Sequence, residues 1–359
     1  MTAIRVDVHP FLPPAVYLRR PGQRLPFPFD EPGCRLFSRA RHGFWRALTS
    51  IGLRPGDEVL APAYHHGSEI EALQRAGART AFYEATKTLE PDERELDGLL
   101  GARVRALHLT HYLGFPQDAP RWRRWCDERG LLLIEDAAQA WLSSIEGSPV
   151  GSFGDVAFFS LYKTVGLADG AAVVARPSLP AGGGVRGIGG RELGRLHRAW
   201  LAQFLPRAAE LRLARGPDAP YDPDADFALG DPGDACARTT PMLLRRARAR
   251  RALERRRANY RVLLEALQER VPAPFDRLPA GACPLYLPIE VDDKQEAIAR
   301  LARRQVRGLN LWLVPHPSLP LGDFPGAARR RARTLGLGVH QGLGAPQLER
   351  IVDAVREAA

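Results

Sequence analysis

Through the first half of the chain, short apolar runs alternate with stretches whose apolar residues recur at helical spacing. Glu58–Pro62, Arg79–Tyr83, Val104–Leu109, Leu131–Glu135, Asp155–Phe159 and Ala171–Ala175 read as strands. Ala40–Ile51, Glu69–Ala76, Pro91–Leu100 and Arg121–Arg129 read as the helices between them. The run Leu131-Leu-Leu-Ile-Glu135 is almost wholly apolar, as in a strand buried on both faces. Alternation of this kind predicts an α/β fold on a mostly parallel sheet with helical crossovers.

The pattern breaks after this. Residues 178–241 are rich in Gly, Pro, Asp and Arg, with one helical stretch at Leu193–Leu213, and read as an insertion, a lid or an oligomer arm. A long helix is expected from Arg245, and Leu285–Val291 and Asn310–Val314 as strands, with Ala345–Glu357 as a last helix. The expected organisation is a large domain over 1–240 and a smaller α+β domain over 241–359.

Composition narrows the function classes. Apolar residues make up 45% and charged residues 26%, ordinary for a globular protein. No run of 18 apolar residues is present, so no membrane span is expected. The start of the sequence lacks the apolar core of a signal peptide. Cys34, Cys126, Cys236 and Cys283 stand far apart without a CxxC, which speaks against zinc or a disulfide framework and for a cytoplasmic setting. The net charge of +10 suits an anionic small molecule better than nucleic acid. Its densest arginine cluster, Arg245 to Arg261, is spaced by leucines and alanines like a solvated helix face.

Against that background lysine is rare: of 51 basic residues only Lys87, Lys163 and Lys294 are lysines. Lys163 lies between two expected strands. An amine there, where the chain elsewhere uses guanidinium, suggests covalent chemistry, because a guanidinium forms no imine. A second signal is Asp136, directly after a buried strand, where α/β sheets meet their ligands; a helix N-cap is the plainer reading of that residue alone. Asp136, Gln139 and Lys163 together match the needs of pyridoxal phosphate (PLP): a lysine for its aldehyde, a carboxylate for its ring nitrogen, and a donor for its phenolic oxygen.

Glu135-Asp-Ala-Ala-Gln-Ala140, Val150-Gly-Ser-Phe-Gly-Asp-Val-Ala-Phe-Phe-Ser160, Lys163 and Asp169-Gly-Ala171 resemble the DegT/DnrJ/EryC1/StrS family, fold-type I PLP enzymes that are mostly sugar aminotransferases. The resemblance takes in Ile51–Pro62 and His111-Tyr-Leu-Gly114, and is good over 35–175. It implies that Lys163 is the Schiff-base lysine and proton carrier and that Asp136 pairs with the ring nitrogen. Gln139 would contact the phenolic oxygen, Ala138 one ring face and His66 the other, and Ser160 the phosphate. It also implies a homodimer with the site at its interface, and as substrates an amino donor, glutamate first, and a keto sugar, free or nucleotide-linked.

The chain departs from the family at several points. Ser38-Arg-Ala-Arg-His-Gly43 replaces the small phosphate loop, so Ser38, Arg39 and Arg41 are the candidates there. Ser160-Leu-Tyr-Lys163 is two residues shorter than the usual run, and Trp141 stands where many members carry histidine. A PLP-dependent lyase or dehydratase, and a catalytically silent binding subunit, remain as alternatives to an aminotransferase. Among the other histidines, His108 and His111 should face different ways along a strand and hold no metal. His65 reads as a loop residue beside the pocket, and His316 and His340 as structural groups at strand ends of the small domain.

Overall fold

The computed structural model describes residues 5–22, 24–84, 86–176, 182–187, 194, 197–198, 222, 227 and 235–358. Its strands are β1 (Arg35–Phe37), β2 (Glu58–Pro62), β3 (Arg79–Tyr83), β4 (Val104–Thr110), β5 (Leu132–Asp136), β6 (Ser144–Ile145), β7 (Ser148–Pro149), β8 (Val156–Ser160), β9 (Ala171–Ala175), β10 (Val185–Arg186), β11 (Cys236–Ala237), β12 (Tyr286–Glu290), β13 (Leu309–Asn310) and β14 (Thr334–Gly338). Its helices are α1 (Ala40–Ser50), α2 (Ser68–Arg75), α3 (Glu93–Leu99), α4 (Ala119–Glu128), α5 (Leu161–Val165), α6 (Thr239–Leu244), α7 (Ala249–Leu267), α8 (Lys294–Arg303), α9 (Pro325–Arg333) and α10 (Ala345–Ala358).

A seven-stranded sheet runs in the order β1-β9-β8-β5-β4-β2-β3. The pairs joining β3, β2, β4, β5 and β8 are all parallel, while β9 runs antiparallel to both β8 and β1. This is the mostly parallel fold-type I sheet expected from the alternation. Strand parity sorts its two faces. Leu107, Leu109 and Leu133 pack with Leu96 of α3 and with Trp122 and Cys126 of α4. Ala106, Ile134 and Phe158 pack on the other side with Phe44 and Leu48 of α1 and Ile70 and Leu73 of α2. The functional side chains described below belong to this second face.

The C-terminal half carries a three-stranded antiparallel sheet, β12-β14-β13. Its Leu287, Leu335 and Leu337 belong to the same buried cluster as Phe44 and Ile70, so the apolar core is continuous from one sheet to the other. The central strand β14, Thr-Leu-Gly-Leu-Gly, gives little strand signal in sequence because two of its five residues are glycines. Gly338 is required there: a Cβ would come within 2.6 Å of the Asp7 carbonyl.

Two expectations need correction. The helix expected from Arg245 starts only at Ala249, as α7, after a separate short helix α6 that ends at Leu244. Its arginines are not all solvated either, because Arg256 is fully buried. The strand expected over Asn310–Val314 stops at Asn310, and Trp312 takes a positive φ of 49°, which turns the chain. The helix expected at Leu193–Leu213 lies outside the described residues apart from Gly194, His197 and Arg198, and so does most of 178–241.

Candidate active site

A cleft opens at the carboxyl ends of β5 and β8. The register aligns Thr110, Asp136 and Phe158 across β4, β5 and β8, and this sets Asp136 at the cleft's edge of the sheet. Ligands of parallel α/β sheets bind at this end because the strand termini and following turns converge there. After β8 the chain turns directly into α5, which carries Tyr162 and Lys163 into the cleft.

Lys163 lines the cleft, and its amine has no hydrogen-bond partner among the described residues. Asp136 is 7% exposed and its Oδ1 accepts the Ala138 N–H at 2.9 Å. Burial pushes the Asp136 carboxyl up to about 7, and the nearby Glu69 charge adds to the rise, while the Ala138 N–H and Lys163 oppose it. Gln139 Oε1 accepts the Leu113 N–H at 2.9 Å, which commits the amide oxygen and leaves the Nε2 donors for the cleft. Ala138 and His66 line the same space, His66 from the turn between β2 and α2.

Arg39, Arg41, Ser160 and Tyr162 gather at the amino end of α1. The Arg39 guanidinium lies 4.9 Å from the centre of the Tyr162 ring and has no carboxylate partner among the described residues. Arg41 Nε donates to the Phe227 carbonyl at 2.5 Å. Burial opposes ionisation of Tyr162, but the charges of Lys163, Arg39 and Arg41 and a hydrogen bond with Ser160 outweigh it and lower the phenol's pKa. Two guanidinium groups, a hydroxyl and an open helix N-terminus make an anion site. Ser38 lies outside the cleft lining, and its Oγ meets His42 Nδ1 at 3.4 Å.

The cleft is braced from behind. Glu135 faces away from it and accepts N–H groups of Phe153 at 2.8 Å, Gly151 at 2.9 Å and Gly154 at 2.5 Å, with His111 Nε2 at 3.0 Å. Asp169 accepts Thr240 Oγ1 at 2.5 Å and Arg186 Nη2 at 2.8 Å. Gly170 between them has φ 123°, and a Cβ there would strike Thr240 at 2.5 Å. Arg331 donates to the Trp312 carbonyl at 2.6 Å and the His65 carbonyl at 2.9 Å, tying two walls of the cleft together.

Of the sequence-derived candidates, Lys163, Asp136, Gln139, Ala138, His66, Ser160, Arg39 and Arg41 share this one cleft, and Ser38 does not. The sequence reading missed Tyr162, Glu69 and Trp312, which also line it. Tyr162 could have been found from its place between Ser160 and Lys163, and Glu69 from its place at the start of α2. Trp312 gives no such signal, because only the positive-φ turn brings it in.

The other histidines singled out in the sequence, His65, His108, His111, His316 and His340, are all buried. His111 pairs with Glu135, while His108 sits 5.8 Å from Phe44 and 6.0 Å from Phe158, on the opposite face as strand parity requires. His65 stacks on Phe82 at 5.4 Å, His316 meets Glu71 at 3.1 Å, and His340 meets the Asp7 carbonyl at 3.1 Å. Trp141 donates to the Phe27 carbonyl at 3.0 Å, away from the cleft. No group of three or more potential metal ligands occurs among the described residues, and no helix among them is long and apolar enough to cross a membrane.

Sheet order, the lysine helix after β8 and the carboxylate ending β5 define a fold-type I α/β protein. Residues 37–178 match the DegT/DnrJ/EryC1/StrS aminotransferase family. The GDP-perosamine synthase of Vibrio cholerae is 31% identical over 136 residues, a stretch that spans 37% of this chain and 37% of the relative. The dTDP-3-amino-3,4,6-trideoxy-alpha-D-glucose transaminase of Streptomyces venezuelae is 37% identical over 136 residues, 36% of this chain and 35% of that one. The chain thus aligns in sequence with little more than a third of these relatives. In structure the likeness is far wider: the aminotransferase TlmJ from Streptoalloteichus hindustanus superposes with a TM-score of 0.65 at 25% identity, covering 91% of this chain and 85% of that one. Residues 37–178 thus carry the sequence likeness to the DegT/DnrJ/EryC1/StrS aminotransferase family, and the rest of the chain carries the likeness in fold. Aminotransferases of this family depend on PLP.

Proposed function

We propose that this protein is a PLP-dependent aminotransferase that moves an amino group from an amino acid, glutamate first among donors, to a keto sugar carried on a nucleotide. One observation carries the reading: the unpartnered Lys163 amine and the buried Asp136 carboxyl open into one cleft.

The residues present fit the cofactor. A carboxyl raised to about 7 by burial is one that a protonated ring nitrogen would ionise, so cofactor and site stabilise each other. Arg39, Arg41, Ser160 and the start of α1 suit a phosphate, with arginine charge replacing the small loop of relatives. Gln139 Nε2 suits the phenolic oxygen, and Ala138 and His66 the two ring faces.

Bound PLP supplies an aldehyde that takes up amino groups and a protonated ring that draws negative charge away from the amino acid's α-carbon. Lys163 Nζ would hold the cofactor through its aldehyde, and the same amine is the group placed to carry a proton to and from a substrate's α-carbon. Asp136 would hold the proton at the ring nitrogen. Trp312 and Tyr162 wall the cleft and exclude water. The same reading has the protein acting as a cytoplasmic homodimer, the arrangement the family resemblance implies.

The test is reduction of the PLP-treated protein with borohydride, followed by peptide mass analysis. A phosphopyridoxyl adduct on Lys163, absent from Lys163→Ala, is expected, as is formation of 2-oxoglutarate from added glutamate. No adduct, or an adduct with no half-reaction from any common amino donor, overturns the aminotransferase reading. The second of these outcomes points to a lyase or a silent subunit.

A further inference from the structure

Arg256 sits mid-way along α7 with 0% of its surface exposed. A guanidinium buried without an anion is costly, and an apolar side chain of similar size would pack there at less expense in stability. Its hydrogen bonds among the described residues all go to neutral oxygens. Nε donates to Gln341 Oε1 at 3.0 Å. Nη1 donates to the carbonyls of Pro284 at 3.0 Å and Leu285 at 3.3 Å. Nη2 donates to the carbonyls of Thr164 at 2.9 Å and of Lys163 itself at 3.3 Å. Gln341 Nε2 donates to the same Thr164 carbonyl at 3.0 Å, which closes a triangle.

The recipient explains the arrangement. Helix α5 has five residues and ends at Gly166, whose φ is 73°. A helix so short cannot hold its own orientation, and its last carbonyls have no following turn to bond them. Lys163 and Thr164 carry two of those carbonyls. Only arginine offers a planar fork of five N–H donors that can reach three chain segments at once.

We propose that Arg256, assisted by Gln341, is the positioning residue of Lys163: it ties the last turn of α5 to the lead-in of β12 and the loop after β14, and so fixes the direction in which the Lys163 amine enters the cleft. The inference rests on the role given to Lys163 above. It also makes the C-terminal half, which lies outside the matched family segment, a working part of the site.

The experiment follows the rate at which added PLP becomes borohydride-trappable on Lys163. Arg256→Ala should slow that rate by about 10- to 100-fold, the range that a misplacement on the order of an ångström produces. Millimolar guanidinium, filling the vacated space, should restore part of it. Arg256→Lys keeps the charge without the fork and should remain slow. Gln341→Met removes one corner of the triangle with both hydrogen bonds made there, and should slow the rate by about 2- to 10-fold, less than Arg256→Ala because Arg256 still holds the Lys163 and Thr164 carbonyls. PLP affinity measured in Lys163→Ala, with and without Arg256→Ala, should be the same. Wild-type rates in Gln341→Met, or an Arg256→Ala protein that is folded and as fast as wild type, overturn the inference. If Arg256→Ala does not fold, Gln341→Met alone decides. A wild-type protein that forms no adduct refutes the cofactor reading instead, so the two failures are distinct.

Discussion

Replacing Asp136 with Asn removes a buried carboxyl whose pKa stands at about 7 instead of 3.8, raised first by burial and then by the Glu69 charge. The folded pKa lies above the unfolded one. The carboxyl's contribution to stability is therefore fully present below pH 3.8 and is lost as pH rises through about 7. At about 1.4 kcal/mol for each tenfold in proton affinity, keeping Asp136 ionised in the cofactor-free fold at pH 8 costs up to about 4 kcal/mol. Asparagine keeps the shape and an acceptor for the Ala138 N–H, and it does not titrate. Urea unfolding of the cofactor-free proteins across roughly pH 4 to 8.5 reads the difference directly, since groups common to both cancel. The variant should gain on the parent as pH rises, by up to about 4 kcal/mol, most of it between roughly pH 4 and 7. With PLP at saturation the order should invert, because the parent alone pairs its carboxylate with the ring nitrogen and is stabilised by tight binding. A difference that stays flat with pH, or a variant that loses ground as pH rises, refutes the assignment of a raised pKa to Asp136.

Glu69→Gln should lower the Asp136 midpoint and shrink that pH-dependent difference, because it removes the like charge that adds to burial; an unchanged urea series would show that burial alone sets it. Arg39→Gln should weaken PLP binding by about 10- to 150-fold, as expected for losing one charged hydrogen bond of about 1.5 to 3 kcal/mol. Pyridoxal without its phosphate should bind the variant and the parent alike. Equal losses for the two ligands would place Arg39 somewhere other than the phosphate.

What could be read from the sequence and what could not divides along a physical line. Lys163, Asp136, Gln139 and Ser160 sit at the ends of β5 and β8, and a buried strand followed at once by a polar group is a local pattern. One stretch of chain therefore specifies both the element and the chemistry at its tip, and the first half of the fold was legible for the same reason. The parallel strands are near-continuous apolar runs, and the helices between them keep their period. Strand β14 escaped because two of its five residues are glycines, and Gly338 serves close approach to the Asp7 backbone, a need set by a residue more than 300 positions away. Trp312 escaped because a turn at positive φ, not periodicity, decides where it points.

Arg256 is the strongest case. In sequence it is one arginine among several on a helix, and nothing local separates it from Arg255 or Arg257. Burial separates it. Arg255 is exposed on the same helix, while Arg256 turns inward to five oxygens, two of them on the lysine helix. Solvent exposure is the default for such a residue in a +10 chain, so only tertiary packing can overrule it. The residues proposed for the chemistry are thus written locally at strand ends, and the residue proposed to aim the lysine comes from what packs against a helix too short to aim itself. A sequence motif reports the first group well. The second comes from the C-terminal half, which lies beyond the matched segment but superposes on the aminotransferase fold.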